Sequence, residues 1–177
     1  MSKKNTPWAH AKSIYDIELD FFLKLGIDTL LCDLDNTIDV HRNALPSEEV
    51  MLFKKELDLK HVRLVIISNN NEARVSKYAN FLGVSYLAKA NKPTTKKAIK
   101  FLESIGINDR EKVLYVGDQV INDIRFANKL GIRTILTEPL RNDDQFVTRF
   151  VRLWDKPLRK SLEKKNRLVN WREHYDH

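Results

Sequence analysis

Five short apolar runs, each followed by a stretch of helical periodicity, restrict this chain to few folds. The runs are Thr29–Leu34, Val62–Ile67, Val84–Leu87, Val113–Val116 and Ile132–Leu136. They are rich in branched side chains and too short for helices, which suits strands buried on both faces. Helix-start signals stand between them. Ser47 precedes Glu48 and Glu49, with Val50, Leu52, Phe53 and Leu57 at apolar positions, and Asn70 or Asn71 precedes a helix running to Leu82 before Gly83. Lys92-Pro93-Thr94 opens a third helix reaching Ile105-Gly106, and a fourth follows Gly117-Asp118 to Leu130-Gly131. Alternation with connections this short predicts an α/β fold: one doubly wound, Rossmann-like parallel sheet of about five strands with helices on both faces.

The flanks differ from this pattern. Residues 1–26 place Ile14, Ile17, Phe21, Phe22 and Leu25 at three- and four-residue intervals and end at Gly26, predicting one or two short helices packed on a core of residues 27–140. Residues 141–177 predict a basic, amphipathic helical extension with Val147, Val151, Trp154, Leu158 and Leu162 on one stripe. Asp155-Lys156-Pro157 reads as a fresh helix start dividing it in two, and disorder is expected after Leu168. The formal charge of +7 is concentrated here, since Arg149 to His177 hold nine Lys or Arg against four Asp or Glu.

The 177 residues suffice for one domain with a core that needs no disulfide. The single Cys32 lies inside a predicted strand and reads as a small buried hydrophobe in a reducing compartment. No run approaches the roughly 18 apolar residues of a membrane span. The first ten residues are polar and basic with no apolar signal core, so no secretory peptide is expected and a cytoplasmic location is.

Polar residues stand where the predicted strands end: Asp33 and Asp35 after the first, Ser68 after the second, Lys92 beyond the third, Asp118 with Asp123 after the fourth. In a parallel sheet these tips converge on one edge, where ligands bind at the point of reversed strand order. A carboxylate is too costly to bury unpaired. Three acids beside a lysine and a hydroxyl therefore predict a bound cation plus an anionic ligand, and hard oxygen donors favour Mg²⁺. Taken singly, Ser68 reads equally as a helix cap, Lys92 as a solvated residue and Asp123 as a first-turn acid.

In order, Asp33-Leu-Asp35-Asn-Thr37, Ser68, Lys92-Pro93 and Gly117-Asp118-Gln-Val-Ile-Asn-Asp123 resemble the four motifs of haloacid dehalogenase (HAD)-like phosphatases, over roughly residues 27–136. Ser13-Ile-Tyr-Asp-Ile17, Ile66-Ile-Ser-Asn-Asn-Asn-Glu72 and Thr148-Arg-Phe150 extend the resemblance to the YqeG-type branch, subclass IIIA, which is similar to phosphatidylglycerophosphate phosphatases. Leu34 departs from the lysine that those phosphatases carry between their two acids. The resemblance implies a Mg²⁺-dependent phosphatase working through an aspartyl-phosphate. Asp33 would be the nucleophile, and Asp35 the general acid and then base, with its main-chain carbonyl on the metal. Asp118 would join Asp33 and Asp35 as metal ligands, with Asp123 orienting a metal-bound water or Lys92. Ser68, Asn69, Lys92 and Thr37 would hold the phosphoryl oxygens. His41 and Arg42, in the loop over the strand tip, are candidate substrate contacts.

Family members often carry a cap domain inserted beside these motifs. Only 32 residues separate Asp35 from Ser68 and 23 separate Ser68 from Lys92, each gap filled by predicted elements, so an open site is expected. Such a site favours a phosphate whose bulk stays outside, and phosphatidylglycerophosphate is the specific candidate. The basic stretch 147–167 could then touch an anionic membrane peripherally. It lacks a nucleic-acid reading motif, so nucleic acid is not favoured as a partner. The alternatives are a phosphatase of protein or nucleic-acid phosphates and a non-catalytic or weakly catalytic binding or scaffold protein using the basic tail. A phosphoryl-accepting receiver domain would place its acceptor Asp on a later strand, and neither the second nor the third ends in Asp.

Overall fold

The computed structural model describes residues 5–140 and 146–175, with the side chains of 146–154 left aside. Among the described residues, six strands form one parallel sheet: β1 (Ala9–Ala11), β2 (Thr29–Cys32), β3 (Arg63–Ile67), β4 (Ser85–Leu87), β5 (Val113–Gly117) and β6 (Arg133–Thr137), in the order β1-β6-β5-β2-β3-β4. The helices are α1 (Leu19–Lys24), α2 (Glu48–Leu59), α3 (Glu72–Leu82), α4 (Lys96–Ser104), α5 (Arg125–Lys129) and α6 (Phe146–Lys164). The sequence reading of a doubly wound α/β sheet is what the chain adopts. From β2 the chain winds outward through β3 to β4, then crosses back to β5 on the other flank. Order therefore reverses at β2 and β5, whose C-terminal ends open the crevice.

Alternation within the strands builds two cores from one sheet. Leu30, Cys32, Leu64, Ile66, Leu114 and Val116 face the side covered by α2 and α3. Leu31, Val65, Ile67, Val113 and Tyr115 face the side of Ala98, Leu102 and Phe126 on α4 and α5. Residues i and i+2 of a strand share a face, so a run apolar at every position must be covered twice.

Three expectations are corrected. The N-terminal segment is not wholly helical, because Ala9–Ala11 forms β1 on β6, with Ala9 opposite Ile135 and Ala11 opposite Thr137. That sixth strand is three residues of Ala-His-Ala, without the branched run that marks the other five. The C-terminal helix is not divided at Pro157, which lies inside continuous α6. Residues 169–175, expected to be disordered, pack against the domain: a turn of 3₁₀ helix (Trp171–His174) buries Trp171 completely, its ring centroid 5.1 Å from that of Phe21. Trp8 stacks on His174 at 4.1 Å, and His10 N–H donates to the Val169 carbonyl, so both termini close over the same edge. The expected apolar stripe through Val147, Val151 and Trp154 lies outside the described side chains.

Candidate active site

Asp33 stands one residue beyond β2, at the reversal point, where its N–H still donates to the Val116 carbonyl of β5 at 3.0 Å. The chain then turns back sharply. Asn36 takes a left-handed backbone (φ 66°), a conformation asparagine tolerates better than most residues, and its N–H donates to the Asp39 carbonyl at 2.7 Å. Asp39 pins the loop by accepting from Val40 N, Asn43 Nδ2, Ser47 N and the Tyr78 hydroxyl. The tight turn brings Thr37 back beside Asp33, with its Oγ1 3.5 Å from Asp33 Oδ2 and 3.4 Å from Asp118 Oδ1.

Lys92 is the hub. Its ammonium lies 2.6 Å from Asp33 Oδ1, 2.7 Å from Asp123 Oδ1, 2.9 Å from the Tyr115 hydroxyl and 2.9 Å from the Ile67 carbonyl. Burial alone would lower its pKa, but Asp123 and Asp33 hold it above the ordinary lysine value, so it stays charged. The acids outnumber it. Burial, joined by the Asp123 and Asp35 charges and opposed by Lys92, pushes the Asp33 carboxyl up to about 7. Asp118 is likewise pushed well above the carboxylate range by burial and then by Asp123 and Asp33. Cys32 is fully buried and its thiol is pushed up by that burial, which suits the small inert hydrophobe expected there.

Ser68 and Asn69 follow β3. Ser68 is buried and accepts from Asn70 N at 3.1 Å, so its hydroxyl proton is still to be placed. Asn69 spends both ends of its carboxamide on Lys92, accepting from the Lys92 N–H at 2.7 Å and donating to the Lys92 carbonyl at 3.1 Å. It therefore fixes the backbone that carries the ammonium. Asp35 sits apart from this group. Its Oδ1 accepts from Arg74 Nε at 3.0 Å and Nη2 at 2.5 Å, with His41 Nδ1 at 3.2 Å, and its Oδ2 accepts from Asn70 Nδ2 at 2.9 Å.

These residues fit a hard divalent cation. Asp33, Asp118 and Asp123 are all buried, and each offers a carboxylate oxygen within 4.8 Å of the others. Both oxygens of Asp123 are already engaged, Oδ1 by Lys92 and Tyr115 and Oδ2 by the Gln119 N–H at 3.0 Å. Asp33 Oδ2 and Asp118 Oδ1 meet only the long Thr37 contacts among those resolved. Asp33 and Asp118 are thus the pair with capacity to spare, and one ammonium cannot neutralise three buried carboxylates.

A HAD-hydrolase-like family model matches residues 87–139, the segment carrying Lys92, Asp118 and Asp123. The chain is also 28% identical over 167 residues to the probable phosphatase YqeG of Bacillus subtilis (strain 168), covering 94% of this chain and 96% of that one. The chain is thus similar to HAD-like hydrolases in the segment that holds the lysine and the two later acids, and to a probable phosphatase along most of its length. An uncharacterized protein from Listeria monocytogenes serotype 4b shares the fold, with a TM-score of 0.53 at 14% identity over 68% of this chain and 85% of that one.

Four residues of this site escaped the sequence reading. Arg74 lies in the first turn of α3, where a positive charge opposes the helix dipole, and that misfit was a readable signal. Tyr115 was readable as the one hydroxyl in an otherwise apolar fourth run. Asp155 and Arg159, from α6, carry no local signal. Arg159 lies in the basic stretch 147–167 that could touch an anionic membrane, but it turns inward, donating to the Asp118 and Thr137 carbonyls and pairing with Glu138 at 3.1 Å.

Proposed function

We propose that this chain is a Mg²⁺-dependent phosphomonoesterase that transfers a phosphoryl group first to Asp33 and then to water. The observation that carries this reading is the placement of Asp33 at the reversal point, with Oδ1 held by Lys92 and Oδ2 beside Thr37 and Asp118. A divalent cation, held by Asp33, Asp118 and the main-chain carbonyl of Asp35, would keep Asp33 ionised and offset its repulsion from the phosphate.

The chain's own residues then divide the work. Asp33 Oδ2 attacks phosphorus in line with the leaving oxygen. Lys92 fixes the attacking carboxylate through Oδ1, and its charge favours the added negative charge of the transition state. Ser68 donates its free hydroxyl proton to a non-bridging oxygen, and Thr37 donates its own to another. Asn69 contributes its main-chain N–H, since its carboxamide is committed to Lys92. Asp123 positions Lys92 through Oδ1 and the Asp118 loop through Gln119 N. Asp35 protonates the leaving oxygen and later takes a proton from the attacking water. To do so it must exchange the Arg74 contact for one to substrate, and Arg74, Asn70 and His41 mark where it returns.

The two intervals beside the motifs are filled by α2 with β3 and by α3 with β4, so no cap covers the site among the described residues. A phosphate carried on a bulky group fits such an opening, and phosphatidylglycerophosphate is the specific candidate. Among the described residues no helix is long and apolar enough to cross a membrane. Hydrolysis of p-nitrophenyl phosphate with Mg²⁺ and after EDTA tests the activity. Turnover restored by Mg²⁺ is expected, and turnover indifferent to EDTA would contradict the metal. A panel with phosphatidylglycerophosphate, nucleotide monophosphates and phosphopeptides tests the substrate: a lipid preference is expected, and its absence would remove that candidate.

A further inference from the structure

The C-terminal helix reaches the acidic loop of the site with three residues at helical spacing. Asp155, Arg159 and Leu162 share one face of α6. Leu162 is fully buried against Val120, Ile124 and Leu136. Asp155 is buried and its Oδ1 accepts from the Ile121 N–H at 3.1 Å, capping the turn Val120–Ile124 that carries Asp123. Arg159 bridges the two strand ends: one guanidinium nitrogen donates to the carbonyls of Asp118, after β5, and Thr137, the last residue of β6. Its Nε lies 3.5 Å from Asp155 Oδ2, so the brace is itself held in place.

We propose that Arg159, oriented by Asp155, is a positioning residue for the cation site, fixing the Asp118 backbone and thereby the direction of its carboxylate. This rests on the reading of Asp118 as a metal ligand. The guanidinium meets two carbonyls through Nη2 while Nε faces Asp155 and Nη1 meets Glu138, a planar spread of donors that lysine cannot duplicate because an ammonium is a point donor. A loop that carries a metal ligand without such a brace would sample several carboxylate directions, and loss of an outer hydrogen bond around a metal site typically costs about 10–100-fold in affinity. The extension is by this account part of the catalytic unit, not an appended tail.

The test is Mn²⁺ binding to the full chain without substrate, followed by electron paramagnetic resonance of the free ion, in wild type, Arg159→Lys, Arg159→Met and Asp118→Asn. Thermal melting identifies the folded fraction of each, and affinity is referred to that fraction. The expectation is a Kd about tenfold weaker or more in both Arg159 variants, approaching that of Asp118→Asn, with Lys rescuing melting temperature better than affinity. A packing role alone would lower the melting temperature and leave the Kd of the folded protein at the wild-type value, which would overturn the proposal. Should Arg159→Met fail to fold, Arg159→Lys with wild-type Kd overturns it equally. If wild type binds no Mn²⁺, the metal reading falls and this proposal with it; if wild type binds and both variants match it, only this proposal falls.

Discussion

At the scale of single residues, the site is a problem of excess negative charge. In the metal-free protein Asp33 titrates at about 7 against an ordinary 3.8, mainly through burial. A raised folded-state pKa on an acid means that the folded protein binds more protons than the unfolded chain between those values. Stability contributed by this carboxyl therefore falls as pH rises from about 4 to 7, and Asp118 acts in the same direction. With EDTA present, the melting temperature of wild type relative to Asp33→Asn should drop across that window, and Mg²⁺ should raise the wild-type value most at its upper end. A flat difference would contradict the charge balance described.

Asp35 gives a second test at this scale. Because p-nitrophenolate leaves without a proton, Asp35→Asn should reduce kcat/KM, which reports transfer to Asp33, by about 100-fold or more for alkyl phosphates and much less for p-nitrophenyl phosphate, while kcat falls for both through slower attack of water. Arg74→Ala should show the same leaving-group bias in weaker form, read as kcat/KM across a series of phosphate esters. The acids, Ser68 and Lys92 were legible because polar residues at the ends of buried strands need a reason. Arg74 and Tyr115 left only a local oddity, a cation in a first helical turn and a hydroxyl in an apolar run, and the partner that gives each its role comes from a fold that had first to be known.

At the scale of elements, the five strands with branched runs were legible, and each boundary fell within two residues. β1 was not, because Ala-His-Ala has no strand signature and is held by backbone pairing to β6 and by Trp8 N donating to the Thr134 carbonyl. The C-terminal turn was obscured for the opposite reason: its sequence neighbours are polar, and long-range contacts of Trp171 with Phe21, His174 with Trp8 and Val169 with His10 hold it in place. Trp171 is completely buried, so Trp171→Ala should cost about 3–5 kcal/mol of stability. Urea unfolding measures this, and a loss below about 1 kcal/mol would show that the two termini do not close on the domain as described.

At the scale of the whole molecule, the net charge of +7 was read as a surface facing anionic partners, and the fold narrows that surface. Arg159 is withdrawn into the domain, while Lys156, Lys160, Lys164 and Lys165 stay exposed on or just after α6. Each contributes about 1 kcal/mol near an anionic bilayer, within a Debye length of about 8 Å at physiological salt. Co-sedimentation with phosphatidylserine vesicles should therefore be weak and lost by 0.5 M NaCl; salt-insensitive binding would indicate an apolar contact instead. Charge totals are visible in a sequence, but the direction each side chain takes is set by packing.

In the proposed mechanism Asp33 is the group that accepts the phosphoryl. The most direct measurement is turnover of p-nitrophenyl phosphate by Asp33→Asn in saturating Mg²⁺, with circular dichroism confirming the fold. An amide cannot supply the attacking carboxylate, so activity should fall by about three orders of magnitude or more while the spectrum is unchanged. A folded Asp33→Asn protein retaining activity within about tenfold of wild type would contradict phosphoryl transfer to Asp33.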